Sequence, residues 1–335
     1  METVIIDALD RQIMHGLGLD GRVSFARLAE VIGVSDQTVA RRYRRLRGQR
    51  LIRVVGLCDH RRTGGSSWWV RLQCAPGSAP EIGRALARRP DTVWVQLMSG
   101  GAEILCGVRT AVPDPRSSLL LDKLPRSSRI TAVSAHSMLH LFAGGSLGDG
   151  AALIEGLDEH RVKELRRPPA PPVAEEPFEL AEPDLALLAL LGRDARIPNA
   201  ELAADVGWSE SALRRRMDHL RAAGVLYFDL EVDVNLLGLR SQAWLWLKVH
   251  PADLDAVGTE LARHQEVPFA AATTGSSNLT AIVCCRSPEA LYTYLTTRIG
   301  SLSGVQSIES APVTITLKQG GAVMPAARFE APRPH

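Results

Sequence analysis

The stretch DGRVSFARLAEVIGVSDQTVARRYRRL at residues 20–46 recurs as DARIPNAELAADVGWSESALRRRMDHL at residues 194–220. The two stretches align without a gap at an offset of 174 residues. Identical residues at this offset include Asp20 and Asp194, Arg22 and Arg196, Leu28 and Leu202, Gly33 and Gly207, Arg41 and Arg215, Arg42 and Arg216, and Leu46 and Leu220. A gapless repeat of this length indicates a duplicated domain.

Each copy has the pattern of a helix-turn-helix. Ser24 is a good cap for a first helix with apolar residues at helical spacing. Gly33 suits the tight turn that ends this helix, because glycine adopts positive φ at little cost. Ser35 then caps a second helix that runs to about Arg47.

The second helix of each copy is predicted to lie in the major groove of DNA. Its apolar residues fall on one face, and small polar residues followed by arginines fall on the other, which suits base reading and phosphate binding. The predicted DNA-contacting residues are Ser35, Gln37, Thr38, Arg41, Arg42, Arg44 and Arg45 in the first copy, and Ser211, Arg214 and Arg215 in the second. A merely solvated basic face is the alternative. A strand at 51–55, with Arg53, Arg61 and Arg62 in or after it, is predicted to be a wing that touches the DNA backbone.

Length and composition allow several small domains. The chain has 335 residues, 45% of them hydrophobic, and a net charge of only +2, so overall charge does not indicate nucleic-acid binding. The five cysteines have no CxxC spacing and are predicted to be reduced. With no signal peptide and no long apolar run, we expect a cytoplasmic protein that does not contact membrane.

After each helix-turn-helix the hydrophobic period changes from helical to strand-like. The order β-α-β-β-α-β predicts a ferredoxin-like unit, so the fold class is α+β, with the pair of domains repeated. In the first unit the second helix is predicted at 117–124. The expected divisions are a helix-turn-helix domain at 1–65, a ferredoxin-like domain at 66–145, a Pro-rich linker at 146–180, a second helix-turn-helix domain at 181–240, a second ferredoxin-like domain at 241–320, and a tail at 321–335.

This architecture resembles the Lrp/AsnC (feast/famine) family of transcriptional regulators, in a tandem-duplicated form. The residues that carry the resemblance are 10–13, 20–23, 28–29, 33–35 and 41–42 with their partners in 184–220. The resemblance implies double-stranded DNA and a second copy of the chain as partners, and an amino acid or related metabolite as effector. It implies no enzymatic activity, no cofactor and no metal.

The family's effector loop carries a Gly-x-Tyr-Asp motif between the second and third strands. The matching positions here are Gly100, Gly101 and Glu103 in the first unit and Gly275, Ser277 and Asn278 in the second. These residues are the candidate effector site by resemblance. Neither copy has the Tyr or the Asp, and simple hairpin turns are an equal explanation.

Two other functions remain open. Sirohaem decarboxylases resemble the same tandem architecture, but carry a His-Asn-Tyr stretch where this chain has Val93-Trp94-Val95 or Pro268-Phe269-Ala270. A co-regulator that binds protein instead of DNA is the third hypothesis. His136 and His140 fall on one face of a strand, but no third metal ligand is placed near them. The tryptophans of the first strands are predicted to fill cores or interfaces.

Two expectations concern assembly and the relation between the two helix-turn-helix domains, which are called the first and second heads. The two sheets are expected to pair, within one chain or between chains, and at least a homodimer is expected. Residues 7–65 hold 12 Arg and 6 acidic residues, whereas residues 181–239 hold 6 Arg and 10 acidic residues. The first head is therefore predicted to anchor DNA, with Asp229, Glu231 and Asp233 repelling the backbone at the second wing.

Overall fold

Each repeat begins with three helices and a strand. The structure, a computed structural model, describes residues 6–110, 128–147, 153–168, 171–320 and 322–323. The first repeat has α1 (Ala8–Leu19), α2 (Phe25–Ile32), α3 (Asp36–Gly48) and β1 (Ile52–Cys58). A short helix α5 (Glu159–Leu165) precedes the second repeat, which has α6 (Glu182–Arg193), α7 (Asn199–Val206), α8 (Glu210–Ala222) and β6 (Leu226–Val232).

The local signals of the helix-turn-helix act as the sequence predicts. Ser24 and Ser35 each accept a hydrogen bond from a backbone N–H of the first turn, and Gly33 ends α2 with φ of 84°. The apolar spacing predicts a first helix at 4–18, and the structure begins this helix at Ala8. The reason is a capping box, in which the side chains of Asp7 and Asp10 each accept from the other's backbone N–H.

The two helix-turn-helix heads share one hydrophobic core. Side chains of both repeats, among them Leu17, Leu28, Leu191 and Leu213, are buried in a single cluster. The strands β1 and β6 pair antiparallel over their full length, from Ile52 opposite Val232 to Cys58 opposite Leu226. The heads and this two-stranded β1/β6 ribbon therefore form one body.

The remaining elements of each repeat form a sheet with helices on its outer face. The first set is β2 (Ser66–Cys74), α4 (Ala79–Ala87), β3 (Thr92–Met98), β4 (Glu103–Thr110) and β5 (Ile130–Ala143). The second set is β7 (Ser241–Val249), α9 (Leu254–Leu261), β8 (Phe269–Thr273), β9 (Leu279–Cys285), α10 (Pro288–Thr293), β10 (Val305–Gln319) and β11 (Ala322–Val323). The helix predicted at 117–124 lies outside the described residues.

One predicted helix changes character along its length. The sequence predicts a helix at 288–299, but α10 ends at Thr293 and a π-helical segment follows from Tyr294 to Ile299. Thr293, Thr296 and Thr297 each hydrogen-bond a backbone carbonyl three or four residues earlier through the side-chain hydroxyl. Such bonds compete with the regular backbone ladder.

The two sheets join into a closed ring of strands within one chain. The N-terminal part of β5 pairs with β2, and its C-terminal part pairs with β8 of the other repeat. In the same way β10 pairs with β7 and then with β3. Strand order is therefore β10-β3-β4-β2-β5-β8-β9-β7 and back to β10, with β11 added to β10. Of the two modes of pairing expected, the structure has the one within the chain.

Large aromatic side chains fill the space between the two sheets. Trp69, Trp244 and Trp246 are all less than 7% exposed, and the Trp69 and Trp244 rings lie 4.6 Å apart. The indole N–H of Trp244 donates to Gln96 at 2.6 Å. The tryptophans thus form an inner core shared by both repeats, as predicted. Arg71 closes one side of it, 3.8 Å above the Trp246 ring.

Candidate nucleic-acid interface

Helix α3 presents a polar, basic face to solvent. Gln37, Arg41 and Arg44 are exposed, and Arg44 Nε donates a hydrogen bond to the carbonyl of Ala40 in the same helix. Thr38 is half-buried, and both its hydroxyl and its backbone N–H form hydrogen bonds with the hydroxyl of Ser35. Ser35 and Thr38, both predicted to contact DNA, therefore also cap the N-terminus of α3. Three long side chains therefore extend from one surface.

The other two predicted arginines of α3 are held by α1. Arg42 donates to Asp7 at 2.5 Å and to Asp10 at 3.4 Å, and Arg45 also donates to Asp10, whose carboxylate is fully buried. The backbone N–H of Asp10 lowers the pKa of Asp7, and the Arg42 hydrogen bond lowers this pKa further. The guanidinium groups of Arg42 and Arg45 thus fix the recognition helix on α1. Their contact with DNA remains a prediction.

Helix α8 carries a weaker version of the same surface. Ser211, Arg214 and Arg215 are exposed, and Arg214 pairs with Glu210 at 2.9 Å. Arg216 occupies the place of Arg42 and binds the buried Asp184 with two hydrogen bonds, of 2.8 and 2.6 Å. At the offset of 174, the exposed residues Gln37, Arg41 and Arg44 correspond to Ser211, Arg215 and Asp218. The second surface therefore has one positive charge fewer and one negative charge more.

An arginine that the sequence prediction assigned no role connects the two heads. Arg22 donates through Nη1 to the carbonyl of Ala195 at 2.6 Å and through Nη2 to Oδ1 of Asn199 at 2.6 Å. Its counterpart Arg196 donates through Nη1 to the carbonyl of Val23 at 2.7 Å. Each head thus inserts one arginine into the other, and the contact is self-complementary, as in a two-fold symmetric dimer. The only sequence signal was that both positions are arginine.

A second reciprocal pair reinforces this contact. Arg221 at the end of α8 binds Asp20 of the first repeat at 2.8 Å, and Arg47 at the end of α3 binds Asp194 of the second. The two pairs are related by the same offset of 174. The two recognition helices are therefore held at a fixed separation and orientation.

The predicted wings have a different role. Arg53 forms an ion pair with Glu231 across the β1/β6 ribbon, and Arg62 donates to the carbonyls of Pro172 and Ala223 inside the protein. Asp233 accepts from the backbone of Asn235 and caps a short turn. Each wing strand thus has the other as its partner, and contact of β1 with the DNA backbone remains a prediction. Glu231 is paired with Arg53, so its charge is not free to act as predicted, and repulsion of DNA by the second wing remains a prediction.

The first candidate effector hairpin uses its polar groups internally. Gly100 and Gly101 form the turn with φ of 68° and 89°, and the N–H of Gly100 donates to Thr314 Oγ1 at 3.2 Å. Glu103 is buried and accepts from Arg71 Nε at 2.7 Å. The glycines thus serve the hairpin turn, and an effector contact there remains a prediction.

The second hairpin is held in a similar way. Asn278 bonds both backbone groups of Val249 at 2.9 Å, and the carbonyl of Ser277 accepts from Thr273 Oγ1. Gly275 has φ of 114° and lies so close to the His136 ring that an added Cβ would approach Nδ1 to 2.4 Å. Glycine is required at this position for both reasons, so the residue needs no ligand to explain it.

Neither a metal site nor a membrane helix is found in the part of the chain that the structure describes. His136 bonds the carbonyl of Thr274, whereas the His140 ring packs on Phe142. No group of three or more metal-ligating side chains occurs among the described residues. No helix in the same ranges is both long and apolar enough to cross a membrane.

Comparison with known proteins gives consistent matches. The AsnC-type helix-turn-helix domain matches residues 6–47 and 182–221, and the Lrp/AsnC ligand binding domain matches residues 242–323. The HTH-type transcriptional regulator FL11 of Pyrococcus horikoshii is 28% identical over 141 residues, which are 42% of this chain and 93% of that protein. LrpA of the same organism is 27% identical over 138 residues, 41% of this chain and 98% of its own.

Among solved structures, the siroheme decarboxylase NirDL has the same overall fold. The likeness covers 96% of both chains with a TM-score of 0.61, at 14% sequence identity. At this identity the likeness is one of fold.

Proposed function

The chain belongs to the Lrp/AsnC family of transcriptional regulators, and from that premise we propose that it binds one double-stranded DNA site with both of its heads. In this proposal α3 and α8 enter successive segments of the major groove. One chain supplies what two identical subunits supply in a symmetric dimer. The observation that carries the proposal is the pair of recognition helices held in one body by Arg22 and Arg196.

The two heads are proposed to contribute unequally. Arg41 and Arg44 extend from α3, whereas Arg215 and Asp218 occupy the equivalent positions on α8. Phosphate neutralisation supplies most of the non-specific affinity for DNA, so the first head should dominate it. Because the heads are not identical, the preferred site should be two half-sites of different sequence, not a palindrome.

The experiment selects binding sites for the full chain from a random-sequence duplex library. The enriched duplex is then titrated across a salt series with the wild type, Arg41→Ala, Arg215→Ala and the control Arg84→Ala, whose side chain is exposed on α4. A lost bidentate base contact costs about 1–3 kcal/mol, so Arg41→Ala should lose roughly fivefold to 150-fold in affinity. Arg215→Ala should lose less. Absence of any enriched sequence, or equal affinity for all four proteins, would sink the proposal.

Association between chains is proposed separately. The family is one that oligomerises, and at least a homodimer is expected. Pairing of the sheets within the chain already uses the inner faces around Trp69 and Trp244. A homodimer must therefore use an outer surface. Light scattering at micromolar concentration tests this, and a mass of 36.3 kDa, that of a single chain, would refute the dimer.

A second candidate function is enzymatic, and the fold shared with siroheme decarboxylase NirDL over 96% of the chain favours it. The sequence of two strands argues against the enzyme. Where the resemblance to sirohaem decarboxylases would place a His-Asn-Tyr stretch, β3 has Val93-Trp94-Val95, and Pro268-Phe269-Ala270 lies at the start of β8. Those residues offer no acid, base or iron ligand. The discriminating experiment adds sirohaem and follows absorbance and loss of carboxyl groups. Turnover would replace the regulator proposal.

A further inference from the structure

A partly open cavity lies between the β1/β6 ribbon and the ring of strands. It has a volume of about 560 Å³ and is lined by both repeats. This volume lies within the range of about 300–1,000 Å³ that is usual for small-molecule sites. None of the predicted effector residues at the hairpins lines it. The cavity is therefore a different place from the candidate effector loops.

The apolar walls of the cavity are related by the internal pseudo-symmetry. In this region the equivalent residues are 175 positions apart. The wall pairs are Trp69 and Trp244, Trp94 and Phe269, and Met138 and Val313. Trp94 and Phe269 are only half-buried, since their rings face the open space. Each repeat thus contributes flat aromatic surfaces to the cavity wall.

The polar groups of the cavity do not follow this symmetry. Arg109 on β4 has Cys284 as its equivalent, and both line the space. Trp94 on β3 pairs with Gly107 on β4, and Arg109 lies two residues further along β4. Arg109 and Trp94 therefore lie on neighbouring strands at the same part of the cavity. From β6, Tyr227 reaches the same side, and Arg109 Nη2 donates to its hydroxyl at 3.3 Å. The position of Arg109 is therefore charged in the first repeat and uncharged in the second, although Arg61, Asp59, Asp229, Asp233 and Arg240 also line the cavity.

Asp59, Asp229 and Asp233 also line the cavity, but none of the described ion pairs involves Arg109. Within the described ranges Arg109 has no carboxylate at ion-pair distance, and the nearby Asp59 is bound by Arg61 at 2.7 Å. Burial, together with the charge of Arg109, lowers the pKa of His60 to about 4, so this imidazole is neutral at pH 7. Burial raises the pKa of Asp229, which favours its uncharged form. Arg109 is half-buried, so its charge is partly removed from water without an ion-pair partner, and an anionic ligand would offset that cost.

We propose that this cavity binds a small organic anion with a flat aromatic body. Its carboxylate accepts hydrogen bonds from Arg109 and the Tyr227 hydroxyl, and its ring lies between Trp94 and Phe269. A guanidinium group matches a carboxylate in two parallel hydrogen bonds, whereas the aromatic walls select a planar apolar body. This ligand site does not depend on the DNA-binding proposal, because the contacts it uses are all in the cavity.

The test measures binding of 2-naphthoate and of its neutral analogue 2-naphthamide to the full chain by isothermal titration calorimetry, without DNA. Wild type should bind one naphthoate per chain at least about tenfold more tightly than the amide, since the charged hydrogen bonds are made only by the acid. Arg109→Gln should reduce this preference to less than about twofold, and Arg109→Lys should restore part of it. The control Arg84→Gln, with its exposed side chain on α4, should keep the wild-type preference.

A cavity-filling variant gives an independent measurement. Ser67 lines the space on the same strand as Trp69. Ser67→Phe should abolish binding of both compounds while the circular dichroism spectrum stays that of the wild type. The proposal is overturned if neither compound binds the wild type up to millimolar concentration, if both bind equally, or if Arg109→Gln keeps the tenfold preference. Should Ser67→Phe fail to fold, the Arg109 series decides alone.

Discussion

Replacing Arg22 by methionine tests whether the reciprocal arginines hold the two heads together. The change keeps an apolar stem but removes donors to Ala195, Ile197 and Asn199. Hydrogen bonds from charged groups contribute about 1.5–3 kcal/mol each, and acceptors left buried without a donor add about 1–3 kcal/mol. Burial lowers the pKa of Arg22, as does the nearby charge of Arg196, which means that both disfavour the charged guanidinium group. Both effects therefore offset part of the stabilisation by the hydrogen bonds. We therefore expect a net loss of about 2–4 kcal/mol.

The assay is urea unfolding of the full chain, followed by far-ultraviolet circular dichroism. Arg27→Met is the matched control, since Arg27 also donates two side-chain hydrogen bonds but lies on the surface of α2, with partners Glu30 and Glu164. Surface pairs contribute at most about 1 kcal/mol, so the control should change little. Equal stability of Arg22→Met and Arg27→Met would refute the role of the arginine as an interhead contact. The same variant should also bind the selected DNA duplex more weakly, because its recognition helices are no longer held at a fixed separation.

Three further outcomes follow from the packing and the ion pairs. Trp69→Ala should lose about 3–5 kcal/mol of unfolding free energy by urea titration, with an unchanged stability contradicting its place in the inner core. Gly33→Ala should lose about 1–2 kcal/mol because of its φ of 84°, whereas a loss through crowding is excluded by the empty space around it. Burial alone would raise the pKa of Asp184, but the hydrogen bonds from Arg216 lower it on balance. A lowered folded-state pKa stabilises the protein above the unfolded value of about 3.9 and ceases to do so as the pH falls through the folded value. The stability difference between wild type and Asp184→Asn should therefore be larger at pH 6 than at pH 3, and a difference independent of pH would contradict the ion pair.

Local signals in the sequence were sufficient to predict most of the secondary structure. Ser24, Gly33 and Ser35 act within a few residues of themselves, so their effect on the chain is readable without a tertiary partner. The alternation of apolar residues likewise located the strands. The predicted ends of an element were wrong where a side-chain hydrogen bond determines the end, as the capping box of Asp7 does for α1.

The interactions that the sequence did not predict are those in which a residue's partner lies far away in the chain. A helical projection places Arg45 on the open face of α3, but it cannot show that Asp10 of α1 is within reach. The basic residues of β1 are chemically suited both to DNA phosphates and to an acidic strand of the protein. The sequence alone does not show that β1 pairs with β6, where Arg53 forms an ion pair with Glu231. The cavity was also beyond prediction, because Arg109 and Tyr227 are 118 residues apart and meet only when the two repeats pack.

The exchange of β5 and β10 between the two sheets has a consequence for how the chain is made. During synthesis the first repeat leaves the ribosome long before β8 and β10 exist, so the C-terminal part of β5 and the edge of β3 opposite β4 have no partner strands. Its inner face, with Trp69, stays uncovered during that interval. Contacts of such long sequence separation form slowly, and a half-made sheet with open edges is prone to association with other chains. We therefore expect the nascent first repeat to bind chaperones until β10 is made and the ring of strands closes.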